Sequence, residues 1–266
     1  MPMRPFAAAA LLCLALQPLH AAPASVYLQE LSSSDVRDAV AAGTRTIIVP
    51  VGGTEQNGPH MALGKHNVRV HVLAGRIAEQ LGRTLVAPVV AYVPEGRVDP
   101  PTEHMRFAGT ISVPDAAFEA VLEGAARSFA RHGFTDIVLI GDSGNYQGQL
   151  KAVAERLNRE WAGRPARAHF VADYYAAAQA PFAAMLRERG LTDAQIGRHA
   201  GAADTSLMLA VAPALVFADR MPADAGQARS AGVAGDPKRA SAELGRLGTE
   251  LVVQHSVAAI RRAVAR

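Results

Sequence analysis

TIIVPVGGTEQNGPHMALGKH, from Thr46 to His66, holds the change of pattern on which the fold reading turns. Its first six residues form a short, β-branched apolar run that stops at Gly52-Gly53, the signature of a buried strand. The next stretch, Thr54–Lys65, is a polar loop with glycine and proline. From Asn67 to Leu81 the spacing becomes helical, with Val68, Val72, Leu73, Ile77 and Leu81 sharing one face.

Outward from this unit the alternation continues. Leu85–Val93 reads as a second buried strand, and Pro94–Gly109 as a long loop of the kind that is usually functional. Pro114 opens a helix that runs to about His132 and is closed by Gly133. Asp136–Ile140 is a third strand leading into Gly141–Asn145, Tyr146–Trp161 a helix, and Arg167–Ala172 a fourth strand. The remainder is helical, with a glycine-rich interruption at Gly226–Gly235 and a terminal helix from about Lys238. Strands alternating with helices predict an α/β fold, a three-layer α/β/α sandwich with a mostly parallel central sheet. No repeat or linker divides residues 25–266, so one domain is expected. Reactive groups in such folds gather at the carboxyl ends of strands. That places Glu55, His66 and Asp142 together.

The chain begins differently. Met1–Arg4 is a short basic start, Pro5–Leu16 an apolar run, and small residues follow at Ala21, Ala22 and Ala24. This order predicts a secretory signal peptide over residues 1–24, cleaved after Ala24 or, alternatively, after Ala21. The protein is then periplasmic or secreted. Cys13, the only cysteine, lies inside that segment and follows Leu12, where a lipid anchor would need a small residue. The mature chain has no thiol nucleophile and no disulfide. Of all residues, 50% are hydrophobic and 19% charged, which suits a globular domain. The net charge is only +3 and no basic block is interleaved with aromatics, which argues against nucleic acid as a partner. No second apolar span of membrane length is present, and no membrane anchor is expected.

Glu55, His60 and His66 make the loop dense in metal-capable side chains. The stretch Thr54-Glu55-Gln56, then Gly58-Pro59-His60, then Leu63-Gly64 resembles the creatininase family signature T-E-Q-H-G-P-H-L-P-L-G-T-D. Three further segments match in order. Glu103–Ser112 is similar to E-H-x-x-F-P-G-T-I-S, and Arg131–Phe134 with Ile137–Gly141 to the helix and strand before the family's N-G-H-G-G-N loop. His199-Ala200-Gly201 with Thr205–Leu209 is similar to H-A-G-x-x-E-T-S-L-M-L.

The resemblance implies a metal-dependent hydrolase that opens C–N bonds in small, often cyclic amides. It implies a first metal on Glu55, His66 and Asp142. At the last two positions the family has Asp and His, so two carboxylates and one imidazole are kept by a reciprocal exchange. Zinc is the expected metal, with manganese or iron as alternatives. A second metal is expected to be weak or absent, because Asn57 and Gly144 stand where the family supplies ligands. His199 matches the family's proton-transfer histidine, and Asp204 stands in for its glutamate. Asn57, His60, Glu103, His104 and Asn145 are candidates for a second metal or for substrate contact. The altered pattern argues against creatinine itself. The family commonly forms hexamers, which implies a homo-oligomer. Two other readings fit the same residues: a small-molecule-binding protein with a degenerate site, and a metal-dependent lactonase or esterase. No G-x-S-x-G elbow is present to suggest a serine hydrolase.

Overall fold

Side chains alternate across the central strands, so each face of the sheet buries its own helices. The computed structural model describes residues 23–265. In β1 (Thr46–Val51), Ile47, Val49 and Val51 join Ile137 and Leu139 of β3 (Asp136–Gly141) in one core. Phe118 and Leu122 of α3 (Asp115–Arg131) and Leu150, Val153 and Leu157 of α4 (Gln147–Glu160) cover it. Val36 and Val40 of α1 (Ser33–Ala41) pack at its margin. Ile48, Val138 and Ile140 belong to the opposite core. There they meet Val70, Leu73 and Ile77 of α2 (Lys65–Leu81), Tyr174 of α5 (Asp173–Glu188), and Val252, Val253 and Ile260 of α9 (Ala242–Val264).

With β2 (Thr84–Val86) and β4 (Arg167–Phe170), the four-stranded sheet runs in the order β2-β1-β3-β4, all pairs parallel. The expected three-layer sandwich is the architecture found. Because β1 and β3 are neighbours, the loops that leave their carboxyl ends, carrying Glu55 and Asp142, emerge side by side. Three short helices complete this end: α6 (Asp193–Ile196), α7 (Ala202–Val211) and α8 (Ala225–Ser230).

Boundaries differ from expectation for local reasons. The second strand stops at Val86 rather than Val93 because Pro88 has no N–H for the ladder. Pairing resumes only as a bridge, with Val90 N donating to Pro50 O and Gly52 N to Val90 O, each at 3.0 Å. Helix α1 was not expected; the capping box of Ser32 and Asp35 starts it. Helix α9 begins at Ala242 because Ser241 caps it, while Asp236 and Pro237 form a separate 3-10 turn. Helix α2 begins at Lys65, ahead of the expected Asn67, which takes Lys65 and His66 into its first turn. The leader expected over residues 1–24 lies outside the described residues, Pro23 and Ala24 apart. Among the described residues, no helix is long and apolar enough to cross a membrane.

Candidate active site

Helix α2 points its buried stripe, read back from Ile77 through Leu73 in steps of four, at Arg69 and Lys65. The stripe therefore ends in two cations, 3% and 1% exposed, and not in more apolar side chains. Cations in a first turn oppose the helix dipole, so the surroundings must compensate. Asp204, in the first turn of α7, takes Lys65 Nζ at 2.9 Å and Arg69 Nη1 at 2.8 Å. Asp142, after β3, accepts from Arg69 Nε at 2.9 Å and from the Tyr174 hydroxyl at 2.7 Å. Glu55, after β1, lies 3.5 Å from Lys65 Nζ.

The three residues expected to share one metal do converge, but in a row. His66 Nδ1 is 2.6 Å from Asp142 Oδ2 and its Nε2 is 2.8 Å from Glu55 Oε1. Burial and Lys65 push the imidazole's pKa down, but the two flanking carboxylates outweigh them and hold it above its ordinary value. Burial pushes the Asp142 carboxyl up, yet Arg69 and His66 hold it below the usual carboxylate range, with its oxygens spent on protein donors. The reciprocal pair thus forms a hydrogen-bonded relay beside Glu55. The fold thus brings Glu55, His66 and Asp142 together, hydrogen-bonded to one another through the imidazole.

A different set meets the geometry of a metal centre. Glu55, His104 and His199 each offer a ligand atom, and the three atoms lie within 4.8 Å of one another. His104 sits on a 3-10 turn, Glu103–Arg106, in the long proline-containing loop. Its Nε2 is 3.2 Å from Glu55 Oε2, a buried oxygen with no hydrogen-bond partner among the described residues. His199 is held by backbone: Arg198 N donates to Ala234 O at 2.8 Å and Ala234 N to His199 O at 2.9 Å. Gly197 is required in that clamp, since a Cβ there would meet Ala234 O at 1.9 Å. His199 Nε2 lies 2.9 Å from Gln56 O, which places the ring proton on Nε2 and turns the Nδ1 lone pair toward Glu55, 3.6 Å away. Burial, and then Lys65, push His199 down to about 3; burial likewise lowers His104. Two neutral imidazoles and an orphaned carboxylate oxygen fit a divalent transition metal.

The other candidates take different places. Asn57 is fully buried and its Nδ2 donates to Glu55 O and Ala62 O, each at 2.9 Å, so it braces the loop. His60 Nε2 is spent on Ala200 O at 3.1 Å. Glu103 is exposed at the start of its turn. Asn145 Nδ2 donates to Glu95 Oε2 at 2.6 Å.

Glu95 is one of four residues the sequence reading missed, with Lys65, Arg69 and Gln56. Burial, and next Glu55, push the Glu95 carboxyl up to about 8, so it is a protonated acid at neutral pH. Gln56 holds both rings from outside, its Nε2 lying 3.2 Å from His104 Nδ1 and its backbone O accepting from His199 Nε2 at 2.9 Å. The signal for Lys65 and Arg69 was in the four-residue steps of the helix; for Glu95 and Gln56 no periodicity carried one.

A cavity of about 360 Å³ reaches His199 and Asp204 between α5, α6 and α7, with Arg187, Arg198 and Leu207 in its lining. That is room for a small molecule.

A parallel α/β/α sandwich with a carboxylate–imidazole group at the carboxyl ends of its strands is a metallohydrolase type of architecture. Comparison with known proteins narrows it. Residues 29–260 match the family model Creatininase, described as creatinine amidohydrolase. The creatinine amidohydrolase of Pseudomonas putida is 30% identical over 256 residues, covering 89% of this chain and 96% of that protein. The mycofactocin precursor peptide peptidase of Mycolicibacterium smegmatis is 36% identical over 113 residues, 41% of this chain and 43% of that one. A solved structure described as creatininase Mn superposes with a TM-score of 0.73 at 29% identity, covering 91% of this chain and 100% of that chain. The chain belongs to the creatininase family, and it is an enzyme of the creatininase type.

Proposed function

We propose that this protein hydrolyses a C–N bond in a small, cyclic or simple amide, using one divalent metal on Glu55, His104 and His199. The observation that carries the reading is that group of three donors beside a cavity of small-molecule size, in a chain of this family. Zinc, manganese or iron suits the donors. The bound metal would supply an acidified water and polarise the amide carbonyl. The chain's own residues do the rest. Gln56 fixes the orientation of both imidazoles, with its side-chain amide at His104 Nδ1 and its backbone carbonyl at His199 Nε2. His66, and then Lys65, hold the Glu55 carboxyl below the usual carboxylate range against its burial. Glu95, protonated at neutral pH, holds a proton next to Glu55.

Purified protein, stripped and reloaded with each metal, tests this against a panel of cyclic and linear amides, with lactones alongside. Amide turnover that tracks metal content is the expected result; turnover of lactones alone would move the assignment to ester chemistry. His199→Ala is expected to lose metal together with turnover. Metal retained while turnover falls roughly 100- to 10,000-fold would instead give His199 the proton-transfer role. A small-molecule-binding protein is the second reading, favoured by Lys65 and Arg69, which already neutralise the site's carboxylates. It predicts no turnover on any substrate with ligand binding intact.

The protein is further proposed to be exported and to act as a homo-oligomer, a hexamer by its resemblance. Exposed Tyr92, Val98 and Val121 supply apolar surface for subunit contact. Light scattering on the purified protein reads the assembly directly.

A further inference from the structure

Lys65 puts a buried ammonium among the carboxylates of the site. Its ammonium, buried with 1% exposure, lies 2.9 Å from Asp204 Oδ2 and 3.5 Å from Glu55 Oε1. It is also 3.5 Å from His199 Nδ1, the nitrogen that the metal reading gives to the one ion. An ammonium is a compact point charge with three donor directions. Here it hydrogen-bonds Asp204 and pairs with Glu55, two carboxylates that would otherwise suit a further divalent ion. The position is fixed by helix geometry. Arg69, one turn later on the same face of α2, takes the other oxygen of Asp204 at 2.8 Å and so holds that carboxylate for Lys65. Backbone supports it from the far side, with Ala200 N donating to Asp204 Oδ2 at 2.9 Å.

We infer that Lys65 is a resident cation of the active site: it fills the position between Glu55 and Asp204, beside His199, that a further divalent ion would take, and limits the site to one ion. The inference rests on the metal reading above for that one ion. Its physical content is competition. A dication placed against these donors meets a like charge that cannot retreat into solvent, and the repulsion is little screened at a buried site. The donors it would need are the ones the ammonium already holds.

The test counts metal and needs no substrate. Protein freed of metal with a chelator is equilibrated by dialysis against zinc or manganese, and bound ion per chain is measured by elemental analysis. The native chain is expected to bind no more than one. Lys65→Gln is expected to gain a further ion or to bind at least tenfold more tightly, and Lys65→Arg, which keeps the charge, to do neither. Two ions per native chain would overturn the inference, and that result does not depend on any variant folding. So would a folded Lys65→Gln protein with unchanged stoichiometry and affinity. A native chain that binds no ion, with Lys65→Gln gaining one, supports the role of Lys65 while removing the metal from the proposed reaction. Absence of amide turnover with these stoichiometries as expected would count against the reaction and leave Lys65 in place.

Discussion

Arg69 shows what a buried charge does for this protein at the scale of one residue. Its guanidinium is 3% exposed and bridges Asp142 and Asp204. Burying such an ion is unfavourable, so its presence is weak evidence for stability, but removing it strands its partners. Arg69→Met is therefore expected to destabilise the fold by about 3–5 kcal/mol in denaturant unfolding. A loss within about 0.5 kcal/mol, the range of an ordinary surface change, would show that the carboxylates are already satisfied without it. The pH dependence follows from the same cluster. Asp142 is held below the usual carboxylate range, so its contribution is complete above the unfolded value of about 4 and fades as pH falls through the folded one. His66 is raised, so its contribution is complete below about 6.5 and fades as pH rises through its folded value. Denaturation midpoints across pH should fall on both sides, and Asp142→Asn should flatten the acid side. An unaltered acid side in that variant would detach Asp142 from acid stability. Residue identities were only partly legible in the sequence. Glu55, His104 and His199 stood in recognisable motifs, yet which nitrogens and oxygens face a common point depends on the loop backbone. His66 and Asp142 stood in the same motifs, and the geometry shows His66 hydrogen-bonded between Asp142 and Glu55.

At the scale of elements, the strands and most helices could be read because their signals are local. The apolar run of β1 and the proline before α3 fix those elements without reference to the rest of the chain. Pro88 and the cap at Ser32 were equally local but are single-residue signals, easily lost inside an apolar run or a serine-rich one. What the sequence could not supply is which helix surfaces approach closely, and glycines test that. Gly245 in α9 faces α7, where a Cβ would lie 1.8 Å from Ser206 O, a backbone atom unable to step aside. Gly124 in α3 is exposed, and a Cβ there meets nothing within 4 Å. Alanine normally stabilises a helix relative to glycine by roughly 0.5–1 kcal/mol. Gly124→Ala should show that gain, and Gly245→Ala should reverse it by forcing α9 away from α7. Thermal melts of the two variants report the contrast, and a shift upward in both would mean that the two helices have slack between them. Because Ser206 and Asp204 share α7, the Gly245→Ala shift should also weaken whatever the site binds.

At the scale of the whole molecule, the export proposal and the sheet constrain each other. The edge of β2 is not bare: Val86 N donates to Val26 O at 2.8 Å, and Tyr27 pairs with Val86 in a parallel bridge. Tyr27 also stacks on His71 of α2 with ring centroids 4.2 Å apart, and its hydroxyl reaches the space left by Gly75, where a Cβ would meet it at 2.0 Å. The backbone from Val26 onward is thus a working part of the fold, closing a strand edge that would otherwise invite pairing with another chain. Signal cleavage after Ala24 would leave Ser25 first, with its Oγ still accepting from Tyr27 N at 3.0 Å. Cleavage after Ala21 would be equally harmless. Cleavage a few residues later would not be. A chain starting at Ser25 should therefore match the exported protein in thermal midpoint and solubility. A chain starting at Ser32, which lacks Val26 and Tyr27, should lose a few kcal/mol, of the order expected for an aromatic side chain removed from a packed site, and should aggregate through the uncovered β2 edge. N-terminal sequencing of protein recovered from the periplasm or the medium gives the natural start, expected between Ala22 and Ser25. Intact Met1 in a cytosolic fraction would remove the export proposal, whereas equal stability of the two truncated chains would remove the role given to Val26 and Tyr27. The two proposals can fail separately, and if both hold, the processing site sits just ahead of the first residue the sheet needs.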